Sequence, residues 1–261
     1  MTHREGLKPI AELLKVDERN LAFVRFNSEI NDYQPLTLED HHADIEQYHL
    51  ENYVPEDIAT QYDIARNLYL YSWFEYRFYN VAESKALTVL ELALKRRIGE
   101  QPLKAYIKQR QQEHKKSTGK KLSLNRGLKV LMEYCRDHKL VNNQGFSAWQ
   151  QSGKQKAYIK AEEEQRQWAT DEMERTGKDE IILPDIYIED IPPDPDYNHV
   201  QHLVDNTNTL RNTYAHGTTM LYKNVLYTFE MASEFVNQVY RANRSNSDFQ
   251  AKNESKGLTN Q

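Results

Sequence analysis

Between Pro55 and Gly99 the chain carries neither a further proline nor a glycine, and this uninterrupted stretch constrains the fold more than any other feature. Within it Ile64, Leu68, Tyr71, Phe74 and Phe78 recur at three- and four-residue spacing, and so do Ala86, Val89, Leu90, Ala93 and Leu94. That is the period of an amphipathic helix. One helix over the whole stretch would be unusually long, so a break is expected near Asn80, giving a helical hairpin or a kinked pair. The aromatic run YLYSWFEYRFY at 69–79 sits at helical spacing and reads as core rather than as a ligand box.

The rest of the chain extends the same reading. Nine Gly and eight Pro among 261 residues leave little turn chemistry for a many-stranded sheet, so the expected class is all-α. Residues 1–54 read as an N-terminal extension of short helices, with Thr37 and Asp40 marking one helix start by hydroxyl cap and early acid. Residues 101–139 read as two helices joined at the STGKK turn around Gly119. Residues 148–196 read as an insertion: a Gln-, Glu-, Lys- and Ala-rich peripheral helix, then EIILPDIYIEDIPPDPD, a short extended piece passing into a proline-held connector. Residues 55–147 and 197–243 then form one helical core. Its last helix, from about Thr218 to Arg244, buries Leu221, Val225, Phe229, Ala232, Phe235, Val236 and Val239. Residues 244–261 are polar and read as a disordered tail.

Charge and cysteine usage narrow the function. A net charge of -5 excludes a general duplex-coating protein, so any nucleic-acid contact must be local. Such a patch is on offer between Lys104 and Lys129, where nine basic residues, Lys115, Lys116, Lys120 and Lys121 among them, face Glu113 alone. It is either a solvated face or a stretch that steers phosphate. Cys135 is the only cysteine, which excludes an intrachain disulfide and fits a reducing compartment. No segment is apolar for long enough to span a bilayer, and the cytoplasm is the expected location.

One segment offers chemistry. Leu210-Arg211-Asn212-Thr213-Tyr214-Ala215-His216-Gly217 places a fixed cation, an amide and an imidazole within six residues. Arg presents a fork that fits phosphate oxygens, and His gives and takes protons near neutrality. Cleavage of RNA needs those roles and can proceed without a metal. Residues five apart lie roughly 140° apart around a straight helix, so Arg211 and His216 do not share a face, whereas Asn212 and His216 do. Two copies facing across a two-fold axis could complete such a site. His42, Glu46 and His49 also share a helical face, but without a HExxH arrangement the segment reads as a solvated acidic helix rather than a metal site. No P-loop or Rossmann glycine pattern is present, and no cofactor is expected.

The RNTYAHG segment resembles the signature of HEPN domains: Arg, a polar residue that is often Asn, three further residues and His, with Leu before and Gly after. The upstream run ALTVLELALKRRI resembles that family's earlier helix, which often carries a glutamate, and Glu91 holds the place. The resemblance covers 55–99 and 198–243 and not the extension, the insertion or the tail. It implies a helical homodimer acting as a metal-independent endoribonuclease, in toxin–antitoxin or phage-defence settings, with a separate antitoxin or nucleotidyltransferase chain as partner. Arg211 would stabilise the scissile phosphate, His216 would act as acid or base, and Asn212 would orient either. Tyr214 would stack or pack, and Glu91 would pin Arg211. A non-catalytic dimeric module of the same fold, binding RNA, a nucleotide or a protein, is the other reading.

Overall fold

The computed structural model describes the backbone at residues 6–189, 191–215 and 225–257, and the side chains there except at 208, 210–215 and 242–257. The described chain is predominantly helical, with one two-stranded hairpin, and among the described residues no helix is long and apolar enough to cross a membrane. It divides into two compact units, Met1–Leu140 with Val204–Gln261, and Val141–Leu203.

The first unit is built on α2 (Glu56–Tyr71) and α3 (Phe78–Ile98), which pack as a pair, with α9 (Leu226–Gly257) against α3. Phe229, Ala232, Phe235, Val236 and Val239 are all buried on that last helix, and Val225 just before it, as their spacing predicts; Leu221 lies outside the described residues. Tyrosine hydroxyls tie the helices at their backbones. Tyr62 donates to Phe229 O at 2.8 Å, and Tyr240 donates to Ala93 O at 3.1 Å. These bonds let large rings fill the core without leaving a buried hydroxyl unpaired. Beyond Arg244, where the sequence reads as a disordered tail, the backbone stays helical to Gly257.

On α2 the buried face differs from the expected one. Ile58, Tyr62, Ala65 and Tyr69 form the core line, while Ile64, Tyr71 and Phe78 are exposed. The helix is apolar on two sides, and tertiary packing selects the one carrying the smaller Ala65. Trp73, Tyr76 and Tyr79 are buried with Tyr69, so most of the aromatic run is core.

The break falls at 72–77, and Asn80 lies inside α3. Its cause is tertiary. The carbonyls freed at the end of α2 are satisfied from the N-terminal segment: Asn20 Nδ2 donates to Ser72 O and Trp73 O at 2.9 and 3.0 Å, and Asp17 N–H donates to Trp73 O at 3.0 Å. The ring of His41 lies 2.9 Å from Tyr69 O through Nε2. Asp17 Oδ2 also accepts from Tyr76 N–H at 3.0 Å. Burial pushes the Asp17 carboxyl up, but hydrogen bonds from Arg19 and Tyr76 outweigh it and hold the group at about 2.

The N-terminal extension is less helical than its sequence suggests. Two 3-10 turns, Ile10–Glu12 and Glu18–Ala22, precede an antiparallel hairpin of β1 (Val24–Asn27) and β2 (Asp32–Pro35). Asn31 turns the chain at φ 51°, a value asparagine tolerates better than most residues. Then α1 (Leu38–Glu46) begins at Thr37 with a full capping box, Thr37 Oγ1 accepting from Asp40 N–H at 3.1 Å. Helices α4 (Glu100–Thr118) and α5 (Leu128–Asp137) follow, and Gly119 ends α4 in the left-handed region at φ 71°.

The second unit holds α6 (Ser147–Gln150), α7 (Ser152–Thr176) and the chain that returns after it. Only Ser152 and Gly153 are buried on α7, as its sparse apolar content predicts. Residues 178–189 and 191–194 form no strand. They return against α7, held by Lys156 to Asp194 at 2.7 Å and by Asp194 N–H to Ser152 Oγ at 2.9 Å. A Cβ on Gly153 would stand 2.0 Å from Pro192 O, so the close approach requires glycine there. Helix α8 (His199–Ala215) starts in this unit and ends in the first.

Candidate functional site

The helix that carries the motif starts on a cap. Asn198 Oδ1 accepts from Gln201 N–H at 3.1 Å, and Val200, Leu203, Val204 and Thr207 are buried at three- and four-residue spacing. The backbone is helical through Ala215, so Arg211, Asn212 and Tyr214 occupy the last turns of α8. Their side chains, and His216 with Gly217, lie outside the described residues.

Val225 brings the chain back beside α3. There Glu83, only 4% exposed, accepts a hydrogen bond from Thr228 Oγ1 at 2.5 Å. Thr228 is in the first turn of α9, so the carboxylate sits against the N-terminal end of that helix. Sequence reasoning missed Glu83. The available signal was a carboxylate flanked by Ala82, Ala86 and Leu87 on the apolar face of a helix, where burial demands a compensating partner. Glu91, two turns further on, is only partly buried and makes an i,i+4 ion pair with Lys95 at 2.5 Å.

The basic stretch separates into tied and untied residues. Glu100 pairs with Lys104 at 2.7 Å and with Arg126 at 3.4 Å, and Arg110 reaches Asp137 at 3.2 Å. The Arg110 fork also donates to Tyr106 Oη at 2.9 Å, and Tyr106 donates to Asp137 at 2.6 Å. Burial, then the Asp137 carboxylate, raises the Tyr106 phenol above its usual range, so this group joins α4 to α5 and is no acid at neutral pH. Lys115, Lys116, Lys120 and Lys121 are exposed and have no ion-pair partner among the described residues. They stand at the C-terminal end of α4, where the dipole already favours cations.

A second titratable group lies in the other unit. His199 is 1% exposed, packs at 5.1 Å on the Phe146 ring, and has Nδ1 3.1 Å from the Tyr197 hydroxyl. Burial, with the neighbouring His202, pushes its imidazole down to about 4, so it is neutral at working pH. His42 and Glu46 approach to 3.8 Å on an exposed face of α1, an arrangement an i,i+4 pair makes by itself.

No protein-family model, curated protein or solved structure matches this chain.

Proposed function

We propose that the chain is a metal-independent endoribonuclease of the HEPN type, acting as a homodimer whose two motifs line one cleft. The observation that carries this reading is the RNTYAHG segment at the end of a capped helix, α8, in a predominantly helical chain. In the reaction a base takes the proton of a 2′-hydroxyl, whose oxygen attacks the adjacent phosphorus. The bond to the 5′ oxygen breaks, and an acid protonates that leaving oxygen. The two His216 side chains of the dimer fill those roles. Arg211 neutralises charge on the phosphoryl oxygens, and Asn212, four residues before His216, orients the phosphate or the imidazole.

Glu83 supports the reading as a positioning residue, because it is the buried carboxylate beside the point where the chain re-enters after the motif. Glu83 reaches the first turn of α9 through Thr228, whereas Glu91 pairs with Lys95 on its own helix. Lys115, Lys116, Lys120 and Lys121 guide single-stranded or looped RNA, whose 2′-hydroxyls and bases are accessible. The test incubates wild type and His216→Ala with a mixed RNA pool in EDTA and sequences the cut ends. Wild type should cut and the variant should be slower by about 10²–10⁴-fold. Equal cutting by both, cutting by neither, or dependence on a restored metal would overturn the proposal.

A further inference from the structure

The return stretch after α7 is an open, acidic surface. Residues 179–196 contain seven acidic side chains and no basic one. Asp179, Glu180, Asp185 and Glu189 have no ion-pair partner among the described residues. Apolar side chains stand among them, with Ile182 94% and Tyr187 87% exposed. No described backbone group from Asp179 to Ile191 makes a backbone–backbone hydrogen bond. Pro184 O accepts from Gln165 Nε2, but the other main-chain groups of this exposed segment, with apolar side chains among them, are a template for pairing.

Its complement is on the same chain. Lys115, Lys116, Lys120 and Lys121 have no ion-pair partner among the described residues, and the segment that follows, Leu122-Ser123-Leu124-Asn125, is in neither helix nor strand, with half-buried leucines at alternate positions. It too makes no backbone–backbone hydrogen bond among the described residues. Opposite charge, apolar side chains and main-chain groups without backbone partners are present on both sides.

From this match we infer that the acidic stretch docks on the lysine stretch of a second copy. Each copy carries one surface of each kind, so a reciprocal exchange closes a dimer through two equal contacts. The inference does not rest on the nuclease reading, whose dimer would form around the motif instead; RNA and the acidic stretch would compete for the same four lysines.

The test mixes isotopically heavy and light full-length chains and joins contacting carboxylates to amines with a carbodiimide. Peptides are then identified by mass. Heavy–light pairs linking 179–189 to 115–121 are expected. Their absence, or links confined to one isotope, would overturn the inference. A second arm compares sedimentation at low and high salt, because screening weakens exposed charge contacts. The mass gained at low salt over high salt should vanish when the four acids become Lys or the four lysines become Glu. It should return when the two variants are mixed, since both contacts are then complementary again. A gain that survives either reversal, or no gain at all, counts against the inference. The high-salt mass reports separately on any dimer made through the motif.

Discussion

Acidification should unfasten the second unit through His199. The ring is buried, and its folded-state value of about 4 lies below the ordinary 6.5. The folded state therefore binds no proton here across a range in which the unfolded chain does. Stability from this group is fully present above 6.5 and is lost as pH falls from 6.5 toward 4. At 1.36 kcal/mol for each pH unit the whole interval is worth about 3 kcal/mol, and about 2.5 kcal/mol should be gone by pH 4.5. The Trp149 indole, which donates to Tyr197 O at 3.0 Å, reports on the same region by hydrogen exchange. Its protection should fall steeply between pH 6.5 and 4.5 in wild type, after correction for intrinsic exchange. His199→Gln keeps a polar group facing the Tyr197 hydroxyl but cannot titrate, so its protection should change far less. Equal slopes in the two proteins, or a His199 ring signal that titrates near 6.5, would refute the reasoning.

Asn20→Ala should cost about 1–3 kcal/mol, because it leaves Ser72 O without the donor that ends α2; urea denaturation measures it. Cys135 is buried and its thiol is pushed up to about 12 by that burial, so a thiol reagent at pH 8 should label it only at the rate of opening, and denaturant should release it. Replacing Lys115, Lys116, Lys120 and Lys121 with Gln should lower the salt dependence of RNA binding, cutting the log–log slope by about 3 for four single-strand phosphate contacts. An unchanged slope would show that these lysines do not touch the phosphates.

What the sequence disclosed is what local chemistry decides. The Thr37 capping box, the left-handed glycine at 119 and the buried face of α9 are each set within a few residues, and each is where the pattern places it. The break between α2 and α3 was misplaced because its carbonyls are satisfied by residues some fifty positions earlier, a partnership no window reveals. The hairpin in the extension hid for a related reason: its strands are four residues each, too short for a period to show. At the candidate site the motif was legible by residue type. The buried carboxylate was not, because Glu83 and Glu91 look alike until the packing of α9 covers only one.

The position of α9 has a consequence for how the chain is made. Residues 225–240 fill the core that α2 and α3 open toward, and Glu51 N–H finds its acceptor, Asn237 Oδ1, only at 2.9 Å from that last helix. During synthesis those partners arrive long after α2 and α3 have been made. At about 5–20 residues per second, α2 and α3 wait many seconds on the ribosome with Tyr62, Leu90 and Glu83 uncovered. The nascent chain is then a client for chaperones, and its yield in cells depends on how quickly α9 emerges to cover α2 and α3.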